Sequence, residues 1–296
     1  GLLECKKALS EAGGDIESAI EMLRKSSGMK AAKKAGRIAA EGVVAIKTAE
    51  DGSFGTMLEV NSETDFVARD NSFLDFVQMV VHRAFDNQVD DVKVFAEGEV
   101  EEARQELVQK IGENVSIRRV AVLRSEDGVV GSYVHSNHRI AVLVAIRNGS
   151  DELARDVAMH VAALSPQVIS PGQMPGDVVA KEREIYLAQA RESGKPDAIV
   201  EKMVEGRVRK FLSENSLTEQ AFVKHPETSV GKMVASAGAQ ILAFSRFQVG
   251  EGIEVEKVDF AESQSRLLCV VQKEICFLLT LPWGCGPDAP IQIRFD

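Results

Sequence analysis

E-D-G-S-F-G-T (residues 50–56) and E-D-G-V-V-G-S (126–132) carry the same pattern in two parts of the chain. A strand-like run precedes each: G-V-V-A-I-K-T (42–48) and S-I-R-R-V-A-V-L (116–123). A second run follows each: M-L-E-V-N (57–61) and S-Y-V-H-S (132–136). Asp-Gly followed by a further Gly reads as a hairpin, because Gly supplies positive φ. A helix-spaced segment closes each unit, F-L-D-F-V-Q-M-V-V-H-R-A-F (73–85) and E-L-A-R-D-V-A-M-H-V-A-A-L (152–164), and R-I-A-V-L-V-A-I (139–146) adds a strand to the second. The repeat predicts an α+β fold with a two-lobed core, each lobe an antiparallel sheet backed by helices. Lobe 1 is expected over 40–125, and lobe 2 over 126–176 and 229–261.

On the N-terminal side, residues 2–25 read as two short helices. Leu2, Leu3, Cys5, Ala8 and Leu9 mark the first, and G-G (13–14) stops it. Asp15 is a candidate N-cap for the second, which has Ile16, Ala19, Ile20 and Leu23 at helical spacing. Two such helices are too small to fold alone. The chain opens G-L-L-E-C-K-K without Met, so its start and a third helix are expected upstream. K-A-A-K-K-A-G-R (30–37) reads either as a phosphate or RNA contact or as a solvated linker helix. Residues 1–39 are therefore expected to be a truncated helical module and linker.

On the C-terminal side, 177–193 and 197–214 are helical in composition. Gly194 in G-K-P (194–196) is a candidate stop, and Pro196 suits the start of the next helix. Ile199, Met203, Val208, Phe211 and Leu212 give that helix an apolar face. The expectation is an αα-hairpin inserted in lobe 2 over 177–228, with charged outer faces projecting from the body. A-Q-I-L-A-F-S-R-F-Q-V-G (239–250) returns as a strand, with Ile241, Ala243, Ser245, Phe247 and Val249 on one side.

The chain has 296 residues, 45% apolar and 27% charged, which fits a soluble globular protein. A formal charge of −10 argues against general affinity for nucleic acid and fits docking on another protein. No apolar run approaches the ~20 residues of a membrane span. The longest, I-C-F-L-L-T-L (275–281), ends at Pro282. Four Cys in this length do not make a disulfide framework, and a cytoplasmic location is expected. P-E-T-S-V-G-K-M (226–233) lacks the first Gly of a P-loop and the Ser/Thr after Lys. H-S-N-H (135–138) offers two His without further ligands nearby, and Cys269, Cys276 and Cys285 are not spaced as a zinc module. There is no G-x-S-x-G and no Cys/His arrangement. Neither a cofactor, a metal nor an enzymatic activity is expected. A hairpin scaffold or RNA-associated cofactor, and an unrecognised hydrolase, are the other readings.

Residues 61–73, N-S-E-T-D-F-V-A-R-D-N-S-F, leave a strand and turn polar around Asp65 and Phe66. The residues alone allow two readings. Phe66 is either core, with Thr64 or Asp65 as a helix N-cap, or an aromatic offered to a partner. T-D-F-V-A (64–68) after L-E-V-N-S-E (58–63) resembles the signature of the elongation factor Ts family. The resemblance continues through C-K-K-A-L (5–9), G-G-D-I-E (13–17), K-A-A-K-K-A-G (30–36), K-I-G-E-N (110–114), A-M-H-V-A-A (158–163), S-G-K-P (193–196), E-K-M-V-E-G-R (201–207) and V-G-E-G-I-E (249–254).

The resemblance implies a helical module similar to ubiquitin-associated domains, a two-lobed α+β core and a coiled-coil hairpin. It implies a guanine-nucleotide exchange factor for the translational GTPase elongation factor Tu, with possible homodimerisation through the hairpin and no direct nucleic-acid or membrane contact. Asp65 and Phe66, flanked by Thr64 and Val67, would enter the partner near its Mg²⁺ and phosphate site. Lys6 would face the GTPase domain. Ile140 and His160 would meet the distal β-domain, although Ala141 stands where the family commonly has Gly, and His160 also reads as a histidine on a half-buried helix face. The resemblance stops after V-D-F-A (258–261). There the family has an Ala-rich helix, whereas 262–296 form an atypical tail with three of the four Cys and the only Trp. No function is assigned to that tail.

Overall fold

The computed structural model describes residues 2–192 and 196–254. Helix α1 (Leu2–Glu11) leads into α2 (Ile16–Lys34), whose first turn is capped by Asp15 through the Glu17 N–H. Strands β1 (Glu41–Thr48) and β2 (Phe54–Ser62) follow, then α3 (Asn71–Asp86), the short α4 (Val92–Phe95), α5 (Glu99–Ile111) and β3 (Val115–Arg124). The second half runs β4 (Gly128–Val134), β5 (Ile140–Arg147), α6 (Asp151–Leu164), α7 (Gly176–Arg191), α8 (Asp197–Asn215), α9 (Val230–Ser236) and β6 (Gln240–Gln248). Among the described residues the strands form two antiparallel sheets, ordered β1-β2-β3 and β4-β5-β6. No helix among them is long and apolar enough to cross a membrane.

The two sheets pack on each other. Along β5, Ala141, Leu143 and Ala145 join a cluster with Val44 and Met57 of the first sheet, while Val142, Val144 and Ile146 pack towards α6 and α9. Along β1, Val43 and Ala45 face α3 and α5 on the outside. The layers are therefore helices, sheet, sheet, helices. Both faces of the central strands are covered, so their sequences read as nearly continuous apolar runs.

The second E-D-G copy does not form the expected hairpin. β3 pairs with β2, from Phe54↔Arg124 to Ser62↔Val115, whereas β4 pairs with β5. Residues 125–127 thus cross from one sheet to the other. Gly52 turns the chain at φ +70°, but at Gly128 a Cβ would lie 2.0 Å from the Ile146 carbonyl oxygen. The first glycine serves a turn and the second a close backbone approach, two needs that look alike in sequence. The hairpin of the second sheet is at H-S-N-H instead, where the His138 N–H donates to the His135 carbonyl.

β6 also departs from simple alternation. The register shifts between Ala145 and Ile146, so that they pair with Ala243 and Ile241. Ile241 and Phe244 pack with the α6 side, while Leu242 and Phe247 face the first sheet. A bulge reverses which side chains point inward beyond it.

α2 is longer than the short helix expected and carries the basic stretch. Lys30 pairs with Glu4, and Lys34 donates to the Gly112 carbonyl. α2 lies against α5, with Ser27 bonded to Gln109. α1 buries only Ala8, and Leu2 and Leu3 are exposed. α7 and α8 have their own apolar seam, made by Ala190, Val200, Val204 and Val208. Past α8 the chain re-enters the second core, where Leu217 and Phe222 are buried against α6. Gly194, the expected helix stop, and the tail from 262 onward lie outside the described residues.

Candidate partner-binding site

β2 ends at Ser62, opposite Val115. The chain then turns through Glu63–Phe66 into a single 3-10 turn, Val67–Arg69, and on to α3. Every polar group of Thr64 is engaged. Its N–H donates to Glu113 Oε2 at 3.0 Å and its hydroxyl to Glu113 Oε1 at 2.8 Å. Its carbonyl accepts from the Ser62 hydroxyl at 2.9 Å. The Val67 N–H points at the same Thr64 hydroxyl oxygen, at 3.4 Å.

α3 itself is capped by Asp70, which accepts from the Ser72 N–H at 2.8 Å and more weakly from Phe73. Neither Thr64 nor Asp65 caps it. The N-cap signal was one turn early because a separate 3-10 turn intervenes.

Val67 and Ala68 are buried in the first core together with Phe73. Phe66 points the other way and is 81% exposed. Asp65 pairs with Arg69 at 3.0 Å, one turn on. A shallow cleft beside them is lined by Gly42, Asp65, Arg69, Leu74, His138 and Arg139, between this turn and the β4–β5 hairpin. Isolated exposed apolar residues are ordinary. Here, however, an aromatic ring stands at the tip of a turn whose neighbours on both sides are fixed.

The other expected contact residues lie elsewhere. Lys6 is exposed on α1. Ile140 is half-buried at the start of β5 and packs towards the α6 side. His160 is completely buried in α6, so its ring is not presented on a surface. Its Nδ1 accepts from the Val223 N–H at 3.2 Å, which leaves Nε2 protonated and donating to Gln220 Oε1 at 3.0 Å. Burial lowers its pKa, partly offset by the Gln220 bond. A hydrophobic helix pattern can take in one His when its nitrogens find local partners, and that pairing was not visible in sequence.

Two carboxylates were missed. Glu113 is described above. Glu59 lies on the face of β2 that points between the sheets, and is fully buried. The register shift beside it brings two arginines onto one acid. Arg118 Nη1 donates to Oε1 at 3.1 Å, and Arg119 Nε to Oε2 at 2.6 Å. Gly250 N–H and Asn61 Nδ2 complete the cage. Burial pushes the Glu59 carboxyl up, but the Gly250 N–H, Asn61 and Arg119 together hold it below the ordinary carboxylate range. Arg119 also stacks over Phe247 at 4.1 Å and donates to the Gln248 carbonyl, clasping the first sheet to the end of the second. An acid inside an apolar strand, opposite Arg-Arg, was the signal available.

Comparison with known proteins places the chain's sequence in a family. The family profile described as elongation factor TS matches residues 63–251. Elongation factor Ts of Hahella chejuensis is 62% identical over 261 residues, covering 88% of this chain and 91% of that protein. Those of Saccharophagus degradans and Pseudomonas paraeruginosa are 60% and 51% identical, each covering 88% of this chain and 90% of the relative. The chain belongs to the elongation factor Ts family.

Proposed function

We propose that this chain is a guanine-nucleotide exchange factor for elongation factor Tu and works by offering Phe66, with Asp65, to the GTPase near its Mg²⁺ and phosphate site. The carrying observation is an aromatic ring 81% exposed on a turn held from both sides. A ring of this kind has little to contribute to the free fold and a large apolar area to bury in a complex. Its insertion and GDP binding oppose each other. Whatever factor the chain takes from GDP affinity, GDP takes from affinity for the chain. It is a regulator rather than a catalyst of covalent change, needs no cofactor of its own, and acts in the cytoplasm with its partner.

In this reading Thr64 and Val67 set the ring's direction. Lys6 and Ile140 serve as outlying contacts. His160 contributes indirectly, by holding the Gln220–Val223 segment. The chain divides into the helical module and linker (1–39), of ubiquitin-associated type, two core lobes (40–125; 126–176 with 229–261) and a coiled-coil hairpin. The hairpin exposes Ile185 and Ile199 and is the contact for a homodimer. The RNA reading is weakened because Lys30 and Lys34 are engaged within the molecule. The test is release of labelled GDP from elongation factor Tu with and without the chain. Acceleration by the wild type that Phe66→Ala loses supports the reading. Equal acceleration by both contradicts it.

A further inference from the structure

The Phe66 turn is hydrogen-bonded to the residues just before the neighbouring strand β3. At the last rung of the β2–β3 ladder, Ser62↔Val115, each strand sends a carboxylate to the other. Glu63 accepts from the Asn114 N–H at 2.6 Å, and Glu113 takes the N–H and the hydroxyl of Thr64. Asn114 is itself buried, and its side chain donates to the Arg37 carbonyl at 2.8 Å, so the same rung also holds the segment after α2.

We propose that Glu113 is a positioning residue: its carboxylate clamps Thr64 and thereby fixes the direction in which Phe66 projects. The inference rests on the reading of Phe66 as the partner contact. The geometry supports it in three ways. Both oxygens of Glu113 end on Thr64, two residues before the ring. The residue after the ring, Val67, is anchored by burial, so Phe66 is suspended between one polar and one apolar anchor. The other ties are local to the turn: the Ser62 hydroxyl to the Thr64 carbonyl, the Arg69 N–H to the Phe66 carbonyl at 3.1 Å, and the exposed Asp65–Arg69 ion pair, a type that contributes little. Of these ties, Glu113 alone adds a charged two-point bond from the start of the neighbouring strand. A free turn would spread the ring over many directions, and a binder that must first select one of them loses apparent affinity in proportion.

The test compares Glu113→Ala, Glu113→Gln, Phe66→Ala and the double variant Glu113→Ala/Phe66→Ala in the full chain. Three quantities are read: melting temperature, amide hydrogen exchange at Thr64 and Val67 in the free protein, and the rate of GDP release from elongation factor Tu. Glu113→Ala should speed exchange of both amides and slow GDP release by roughly tenfold or more, the scale of a lost charged hydrogen bond, with a melting loss of the same modest scale and well short of a core truncation. Glu113→Gln can accept from the Thr64 N–H and donate to its hydroxyl oxygen, and should restore most of both. In the Phe66→Ala background, removing Glu113 should slow GDP release no further.

Wild-type GDP release by Glu113→Ala, where Phe66→Ala is slow, overturns the clamp and leaves the Phe66 contact standing. An equal further loss in the Phe66→Ala background also overturns it, because Glu113 would then act elsewhere. Wild-type release by Phe66→Ala overturns the reading of Phe66 itself and the role of Glu113 with it.

Discussion

Phe66 and Phe73 lie one after the other at the entrance to the same helix and have opposite fates. Phe73 is fully buried in the first core, whereas Phe66 is 81% exposed at the tip of the turn above it. Between them, Val67 and Ala68 go in and Asp70 caps α3, while just before Phe66 the polar groups of Thr64 are taken up by Glu113 and Ser62. The difference separates two tasks that one short stretch performs. The buried ring and the caps set where the helix starts. In the proposed function the exposed ring uses that fixed frame as a base from which to reach the partner. Stability should therefore depend on one phenylalanine and exchange on the other.

The comparison is sharpest at Phe73. Phe73→Ala should lose about 3–5 kcal/mol of folding stability, as core truncations of this size do, read as a large drop in the denaturant midpoint. A small loss would mean that the core is not where this account puts it. Glu59→Ala should follow with about 2–3 kcal/mol, since it leaves two arginines facing an emptied, buried site.

The two buried titratable groups among the described residues extend this to pH. His160 is held neutral below its ordinary value of 6.5, so the unfolded chain takes up that proton first. Its contribution is complete above about 6.5 and falls as the pH drops through that value. Glu59 is held below its ordinary 4.5, so its contribution is present above that value and is lost as the pH falls from there through its folded value. Unfolding midpoints measured between neutral and acid pH should fall in two steps, with His160→Gln removing the first and Glu59→Gln reducing the second, which it shares with other lowered carboxyls such as Glu101. A single step unaffected by either variant would contradict this assignment.

The smallest effect is expected from the hairpin. Val179 and Leu212 belong to the same seam, so 179–212 can be replaced by a short linker while Leu217 and Phe222 keep their places in the second core. GDP release should remain close to wild type, because Phe66 stands on the first sheet. A folded deletion variant that fails to release GDP would show that the hairpin shares the task.

Much of this was legible in sequence, for physical reasons. α3 and α6 stand out by helical spacing, β1 and β5 by apolar runs, and Asp15 by capping chemistry. What could not be read depended on distant partners. Gly128 looked like a turn glycine until the Ile146 carbonyl was seen against it. The pairing of β3 with β2 rather than β4 is a choice between two acceptable neighbours that no local pattern decides. A bulge reversed β6 partway along. At the site, the family signature around Asp65 and Phe66 singled them out as candidates. Nothing local singled out Glu113, because its bonds to Thr64 exist only once the start of β3 lies beside the end of β2.

The most direct test of the central claim pairs two measurements on Phe66→Ala: the melting curve of the free chain and the rate at which it drives GDP from elongation factor Tu. The account predicts a folding loss well under about 1 kcal/mol, as for surface changes generally. It also predicts a loss of about 2 kcal/mol or more in the complex, as for an anchoring aromatic, and GDP release slowed accordingly. A variant that melts much earlier yet releases GDP at the wild-type rate would make Phe66 a core residue and contradict the account.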